Sequence, residues 1–342
     1  MLSIAVVPGD GIGPEVTEEA LRTLDELGLG IDFDILDEVN AGRYLRSGVA
    51  LADEDLDRVR KAGSVLFGAV GDPRVRSADY ARGVLLRLRF DLDLYVNHRP
   101  ASLLHDRLSP LRDPARRPID CVVVRENTEG LYSGAGGALH QGTCHEVAMD
   151  EEVSTYRGVS RILGYAFSVA RREVCMVDKS NAVPHGGRLW QRCWHEAIAR
   201  HPDIGARHLY VDAAAMKLAE DPTGFDVIVT NNSYGDILSD LTAVLAGGLG
   251  TAASANINPE TGYGLYEPVH GSAPDIAGQD MANPVGAILS AALLIGHRGY
   301  PAEARAIRAA AAAAIAACRC TPDLGGSLGT KDAAAAVRAG LG

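Results

Sequence analysis

Ser3-Ile4-Ala5-Val6-Val7-Pro8 runs directly into Gly9-Asp10-Gly11-Ile12-Gly13-Pro14-Glu15. The apolar part, Ile4–Pro8, reads as a first β-strand, and Pro14 stands where a helix reaching Leu27 begins. The glycines between them allow a tight turn and a close approach of another group to the backbone. Their spacing is GxGxG followed by proline, not the GxGxxG of a Rossmann fingerprint, and no GxxxxGK followed by Ser or Thr occurs. Taken alone, the stretch is equally a plain turn. Outward from it, Ser64–Val70, Ile119–Val124 and Phe225–Thr230 are continuous apolar runs, as strands buried on both faces require. Each is followed by a turn or by polar residues, at the strand ends where α/β proteins carry their chemistry. A helix starting near Ser233 closes at Gly247-Gly248-Leu249-Gly250, and Val285–Ile295 and Ala302–Ala317 are helical. The alanine run Ala309–Ala314 reads as plain helix propensity. Alternating strands and helices predict an α/β fold. With no internal repeat and no Pro-, Ser- or charge-rich linker, the domains are expected to interleave.

The 342 residues correspond to about two domains of roughly 100–200 residues each. A chain of this size buries enough surface to need no disulfide or metal staple. Lys plus Arg number 33 against 44 for Asp plus Glu, a net charge of −11, which argues against a nonspecific grip on nucleic acid or anionic membrane. The six cysteines form no CxxC pair and no zinc-type spacing. They read as reduced thiols. No apolar run approaches the roughly 20 residues of a membrane helix, and the opening strand is too short for a signal peptide. The expected location is the cytoplasm.

Arg87 and Arg89 in LLRLR (85–89), Arg99 in NHRP (97–100) and Arg125 at the end of an apolar strand suit a di- or tricarboxylate ligand. Guanidinium forks bind carboxylates bidentately. Any one of them could instead be a surface ion pair. Asp236 and Asp240 are spaced i, i+4 at a helix start, so both carboxylates share one face. Such a pair favours Mg²⁺ or Mn²⁺, with Asp212 as a third oxygen ligand; the alternative is acids complementing the helix dipole. Lys179, after the strand Val174–Val177, could serve as a base and Tyr132 as an acid, or the lysine could be a solvated ion pair. The Pro/Gly-rich loop 267–278 carries an acid and so favours NAD over NADP, because an acid accepts a ribose hydroxyl and repels a 2′-phosphate.

Together and in order, GDGIGPE (9–15), LLRLRF (85–90), NHRP (97–100), VVRENTEGLY (123–132), VDKSN (177–181), VDAAAM (211–216), NNSYGDILSD (231–240), EPVHGSAPDIAGQDMANP (267–284) and TPDLGGSLGT (321–330) resemble the β-decarboxylating hydroxyacid dehydrogenases. The resemblance covers the chain to about Thr330. It implies the isopropylmalate/isocitrate dehydrogenase-like α/β fold, with residues 1–98 plus 250–342 binding cofactor and 99–249 forming the substrate, metal and dimerisation domain. It implies a homodimer with shared active sites. Arg89, Arg99 and Arg125 would clamp the malate carboxylates, and Leu85 and Leu86 would meet the C3 substituent. Asp236 and Asp240, with a partner's Asp212, would hold the metal. A partner's Lys179 would take the C2 hydroxyl proton, and Tyr132 would protonate the enol after loss of CO₂. Ile12, Glu267, His270, Gly271, Ser272, Ala273, Asp275, Ile276 and Asn283 would surround NAD; NADP-using relatives carry Lys-Tyr where this chain has Asp275-Ile276.

Within that family Leu85-Leu86 and the TPDLGGSLGT tail resemble the isopropylmalate enzymes. RENTEG (125–130) resembles the form commoner in isocitrate, homoisocitrate and tartrate enzymes. Where isopropylmalate enzymes usually carry a glutamate just before the substrate helix, this chain reads Asp79-Tyr80-Ala81-Arg82, of which Ala81 and Arg82 could equally be exposed and irrelevant. The first expected substrate is 3-isopropylmalate. The alternatives are a malate with an anionic C3 group read by Arg82 or Arg87 (isocitrate, homoisocitrate or a phosphonomethyl analogue), or tartrate or D-malate. A silent regulatory subunit is the non-enzyme alternative, and the complete residue set argues against it.

Overall fold

The computed structural model describes every residue except Met1, Ala78 and Gly342. Its strands are β1 (Ser3–Gly9), β2 (Asp32–Ile35), β3 (Ser64–Ala69), β4 (Val96–Ser102), β5 (Asp120–Glu126), β6 (Gly136–Leu139), β7 (Val147–Asp150), β8 (Glu173–Asp178), β9 (Gly205–Tyr210), β10 (Val227–Thr230), β11 (Ala253–Asn258) and β12 (Tyr263–Pro268). Ten of them make one mixed sheet in the order β2-β1-β3-β12-β11-β4-β5-β10-β8-β9. Its outer parts are parallel, while β12, β11, β4 and β5 meet antiparallel at the centre. Both chain ends build one arm and the middle of the chain builds the other. β6 and β7 form a separate hairpin with every residue exposed.

The apolar runs read from sequence become the strands β1, β3, β5 and β10, and all six residues of β3 and all four of β10 are buried. Helices cover both faces. On one face the core is continuous across both arms, from Ile4 and Val16 through Val124 and Val159 to Ile288 and Ile315. On the other it divides into two: one around Val7, Phe67, Tyr80 and Leu88, the other around Val123, Val177, Leu218 and Leu238. A cleft lies where that second core is interrupted.

The GxGxG turn has the geometry its glycines require. Gly9 and Gly11 have φ of +77° and +58°, and a Cβ on either would lie 1.9 Å from a carbonyl oxygen, of Ala69 and Ser272 respectively. Ile12 donates its N–H to the Ser272 carbonyl at 2.8 Å, joining this turn to the 267–278 loop. Asp10 is buried and accepts from the Tyr80 hydroxyl (2.6 Å) and from the N–H of Ala41 (2.7 Å) and Gly71 (3.0 Å). All six cysteines are free. Among the described residues no helix is long and apolar enough to cross a membrane.

Buried Asp226 anchors the start of β8. Its carboxylate accepts the N–H of Arg171 (2.8 Å), Arg172 (2.6 Å) and Glu173 (3.2 Å), and the Arg171 side chain at 3.1 Å. Burial alone would raise its pKa; these bonds outweigh burial and hold it below the ordinary aspartate value of 3.8. Such a carboxylate stabilises the fold above its unfolded pKa and loses that contribution as pH falls through its folded pKa. Asp226→Asn turns a donor toward donors and should cost about 2–3 kcal/mol at pH 7 in urea unfolding. The gap from wild type should narrow below pH 3.8.

Candidate active site

The cleft is floored by the middle of β4 and the ends of β5 and β12, which bring Arg99, Arg125 and Glu267 together; Arg89 reaches them from the Arg87–Asp91 helix. Arg125 is 3% exposed. It donates through Nε to Asn232 Oδ1 (2.8 Å) and pairs with Asp236. Arg99 donates to Ser239 Oγ at 2.7 Å and lies 3.3 Å from Asp240 and 3.7 Å from Asp236. Arg89 lies 3.4 Å from Glu267. Burial, then the charges of Arg99 and Arg89, push the Arg125 guanidinium down to about 10. Burial also lowers Arg99. The Nε–H groups of both Arg89 and Arg99 are buried without a partner. A cluster of mutually repelling cations with orphaned donors is built to receive anions with more than one carboxylate.

Asp236 and Asp240 lie on the Asn232–Leu245 helix, whose start Asn231 caps by accepting the Tyr234 N–H. The Tyr132 hydroxyl donates to Asp236 Oδ2 at 3.2 Å. Burial, then the Asp236 charge and that hydrogen bond, raise the Tyr132 pKa. Lys179 is elsewhere: its Nζ donates to Asp212 Oδ1 at 2.6 Å, a bond that lowers the Asp212 pKa. Among the described residues no group of three or more His, Cys, Asp or Glu gathers as a metal cluster. One chain therefore presents two half-sets: Tyr132 with Asp236 and Asp240, and Lys179 with Asp212.

Beside Arg89 and Tyr132 opens a pocket of about 560 Å³ walled by Ala81, Leu85, Leu86 and Leu131, with Arg82, Gly134 and Asp150 at its side. The residues Arg82–Leu86 form a π-helical turn between two short α-helical pieces. Sequence periodicity does not reveal such a turn, which frequently marks a functional site. Arg87 points away from this pocket, to Asp53, Asp91 and the Leu51 carbonyl. It is not available to read a substrate anion. Arg82 is exposed, and among the described residues it has no ion pair.

Of the residues expected around a cofactor, Ile12 and Ser272 are bonded to each other, and Ala273 has φ +36°. Gly271 and Asp275 are exposed, with Ile276 half-buried. His270 has a buried, unpartnered Nε2, and burial lowers its pKa. Glu267 is buried against Arg89, and Asn283 donates to Asp323 at 2.8 Å while accepting the Val285 N–H.

A buried amide network behind the arginines is absent from the sequence reading. Asn97 donates to Ser254 Oγ (2.8 Å) and Asn256 Oδ1 (3.0 Å), Asn127 donates to the same Asn256 oxygen (2.9 Å) and to the Leu94 carbonyl (2.9 Å), and Asn256 donates to Glu267 (2.8 Å). The asparagine of RENTEG thus braces the cleft floor and does not touch the pocket.

A family model described as isocitrate/isopropylmalate dehydrogenase matches residues 3–337, and the chain belongs to that family. It is 47% identical over 330 residues to a 3-isopropylmalate dehydrogenase of Clavibacter michiganensis subsp. michiganensis, covering 92% of each. A 3-isopropylmalate dehydrogenase of Corynebacterium glutamicum (strain R) is 47% identical over 320 residues, covering 92% of this chain and 93% of the relative. The crystal structure of isocitrate dehydrogenase from Methylococcus capsulatus superposes with a TM-score of 0.90 at 35% identity, covering 100% of this chain and 99% of that one.

A Cβ on Gly235 would lie 2.6 Å from both Cβ and Cγ of Arg125. Gly235→Ala should displace that guanidinium and lower kcat/KM about 100-fold with the fold retained, the scale expected for an ångström of misplacement. Steady-state kinetics beside circular dichroism checks this; unchanged kinetics would separate Arg125 from turnover.

Proposed function

We propose that the chain oxidises and decarboxylates 3-isopropylmalate to 2-oxoisocaproate, using NAD and Mg²⁺ or Mn²⁺, as a homodimer with shared active sites. The observation that carries this reading is the apolar wall of Leu85, Leu86 and Leu131 beside the buried arginines. It offers an alkyl group an apolar surface next to the guanidinium groups that would take the carboxylates. The relatives named 3-isopropylmalate dehydrogenase support the same substrate. Residues 1–98 with 250–342 would carry the cofactor, and 99–249 the substrate, metal and dimer contact.

Arg89, Arg99 and Arg125 hold the malate carboxylates and fix C2 and C3. The donor set fits a hard cation: Asp236 and Asp240 share one helix face, and Asp212 of the partner subunit completes the oxygens. The loop 267–278, with Ile12 and Asn283, fits NAD, and exposed Asp275 accepts a ribose hydroxyl while repelling a 2′-phosphate. Held by these residues, NAD would supply a hydride acceptor and the cation would supply Lewis-acid chemistry. Lys179 of the partner subunit takes the C2 hydroxyl proton. Tyr132, its pKa raised by partial burial and the Asp236 charge, returns a proton to C3 once CO₂ has left. Dimerisation is supported by apolar side chains left in water. Met216 (73% exposed), Ile237 (64%) and Val244 (50%) lie on the helices bearing Asp212 and Asp236, and the β6–β7 hairpin has no packing of its own.

Arg82, unpaired at the pocket wall, favours a second reading in which the C3 substituent is anionic. The deciding experiment is NADH formation with Mg²⁺ on 3-isopropylmalate, isocitrate, homoisocitrate, D-malate, tartrate and a phosphonomethyl malate. Preference for 3-isopropylmalate, abolished by EDTA, is expected. Preference for an anionic substrate would replace the first reading with the second, and no turnover of any would leave a silent subunit.

Sharing across the dimer has its own test. Lys179→Ala and Tyr132→Phe should each be nearly inactive alone. Unfolded and refolded together in equal amounts, they should recover about a quarter of wild-type activity, because half of the dimers are mixed and each rebuilds one intact site. Recovery of none would mean that both residues serve the same chain's site.

A further inference from the structure

A second cavity, of about 280 Å³, lies between the helices Val285–His297 and Pro301–Ala316, the Pro100–Ser102 end of β4 and Ala246. It shares no lining residue with the substrate pocket or with the hollow beside Arg89 and His270. Its walls come from both arms of the sheet, so an occupant would tie one arm to the other. Leu289 and Leu293 give it an apolar side, and Arg305 and Arg308 a cationic one; no carboxylate lines it.

Arg308 has no role in the chemistry above and no partner to explain it. Among the described residues it makes no ion pair and no side-chain hydrogen bond. The carboxylate that acts on it, Asp120, is held by Arg171 at 2.6 Å. Burial pulls its guanidinium below the ordinary arginine value. His297 also lines the cavity at its open side, with its Nδ1 paired with the Tyr266 hydroxyl (3.1 Å), and its pKa is shifted down, away from the charged form. The cavity's charge is therefore that of its arginines. A half-buried cation without a counter-charge is costly, and an anion docking beside it offsets that cost.

We propose that this cavity binds a small branched aliphatic monocarboxylate, its carboxylate on Arg308 and its alkyl chain against Leu289 and Leu293. The volume, roughly nine waters' worth at about 30 Å³ each, limits the ligand to a body of about six carbons. A zwitterionic amino acid is disfavoured, because no lining carboxylate receives its ammonium group.

Isothermal titration of the full-length protein with 4-methylpentanoate tests the site, with leucine and 4-methylpentylamine as comparisons. Wild type should bind the carboxylate and neither comparison compound. Arg308→Met should weaken binding about tenfold or more, through loss of a charge-assisted contact. Leu293→Trp should fill the cavity and abolish binding, and it carries the test if Arg308→Met does not fold. Equal affinity in wild type and both variants would assign the heat to the active-site arginines and overturn the proposal, as would absence of binding in wild type. None of these readouts needs turnover, so failure here is distinguishable from failure of the proposed substrate.

Discussion

The cleft depends on keeping three guanidinium groups close together at the antiparallel centre of the sheet. Arg89, Arg99 and Arg125 repel one another in a poorly solvated place, and burial drives Arg125 down to about 10. They are balanced from two directions. Asp236 and Asp240 approach from the helix over the second arm, and Glu267 approaches from β12 in the first. The balance is incomplete, since the Arg89 and Arg99 Nε–H groups remain unpaired. An anion with several oxygens is the natural complement to such a residue of unsatisfied charge and donors.

What fixes Glu267 against Arg89 is the amide network of Asn97, Asn127 and Asn256, which spans β4, β11 and the end of β5. Each amide is buried, and leaving one donor unpaired costs about 1–3 kcal/mol. The network therefore resists sliding of the strands across the sheet centre. It also explains why chemistry gathers there: the core beneath is continuous, while the core above is divided, so the floor is rigid and the roof is open.

Much of this was legible in the sequence because it rests on local rules. Apolar runs of strand length became buried strands, the GxGxG turn took the positive φ values that only glycine adopts without strain, and the i, i+4 aspartates share a helix face. Local rules stop at long range. Arg87 and Arg89 look alike in LLRLR, yet the π turn beside them sends one to Asp53 and Asp91 and the other to Glu267. Asn127 reads as a family-discriminating letter and serves as a brace, a role visible only when residues 97 and 256 arrive from distant strands. Asp10 sits among the glycines of the GxGxG turn, but its carboxylate is occupied by Tyr80, Ala41 and Gly71.

The division of acidic and basic groups between two half-sets is the last consequence of the architecture. Tyr132 points at Asp236 from the cleft side of the Asn232–Leu245 helix, while Lys179, at the end of β8, is turned toward Asp212 at the start of the Val211–Glu220 helix. Within one chain Lys179 is held in an ion pair with Asp212, away from Tyr132 and Asp236. The apolar side chains on the same two helices give a reason for a second copy to come close. On the proposed function, joining of the two half-sets and burial of Met216 and Ile237 would be two aspects of one association.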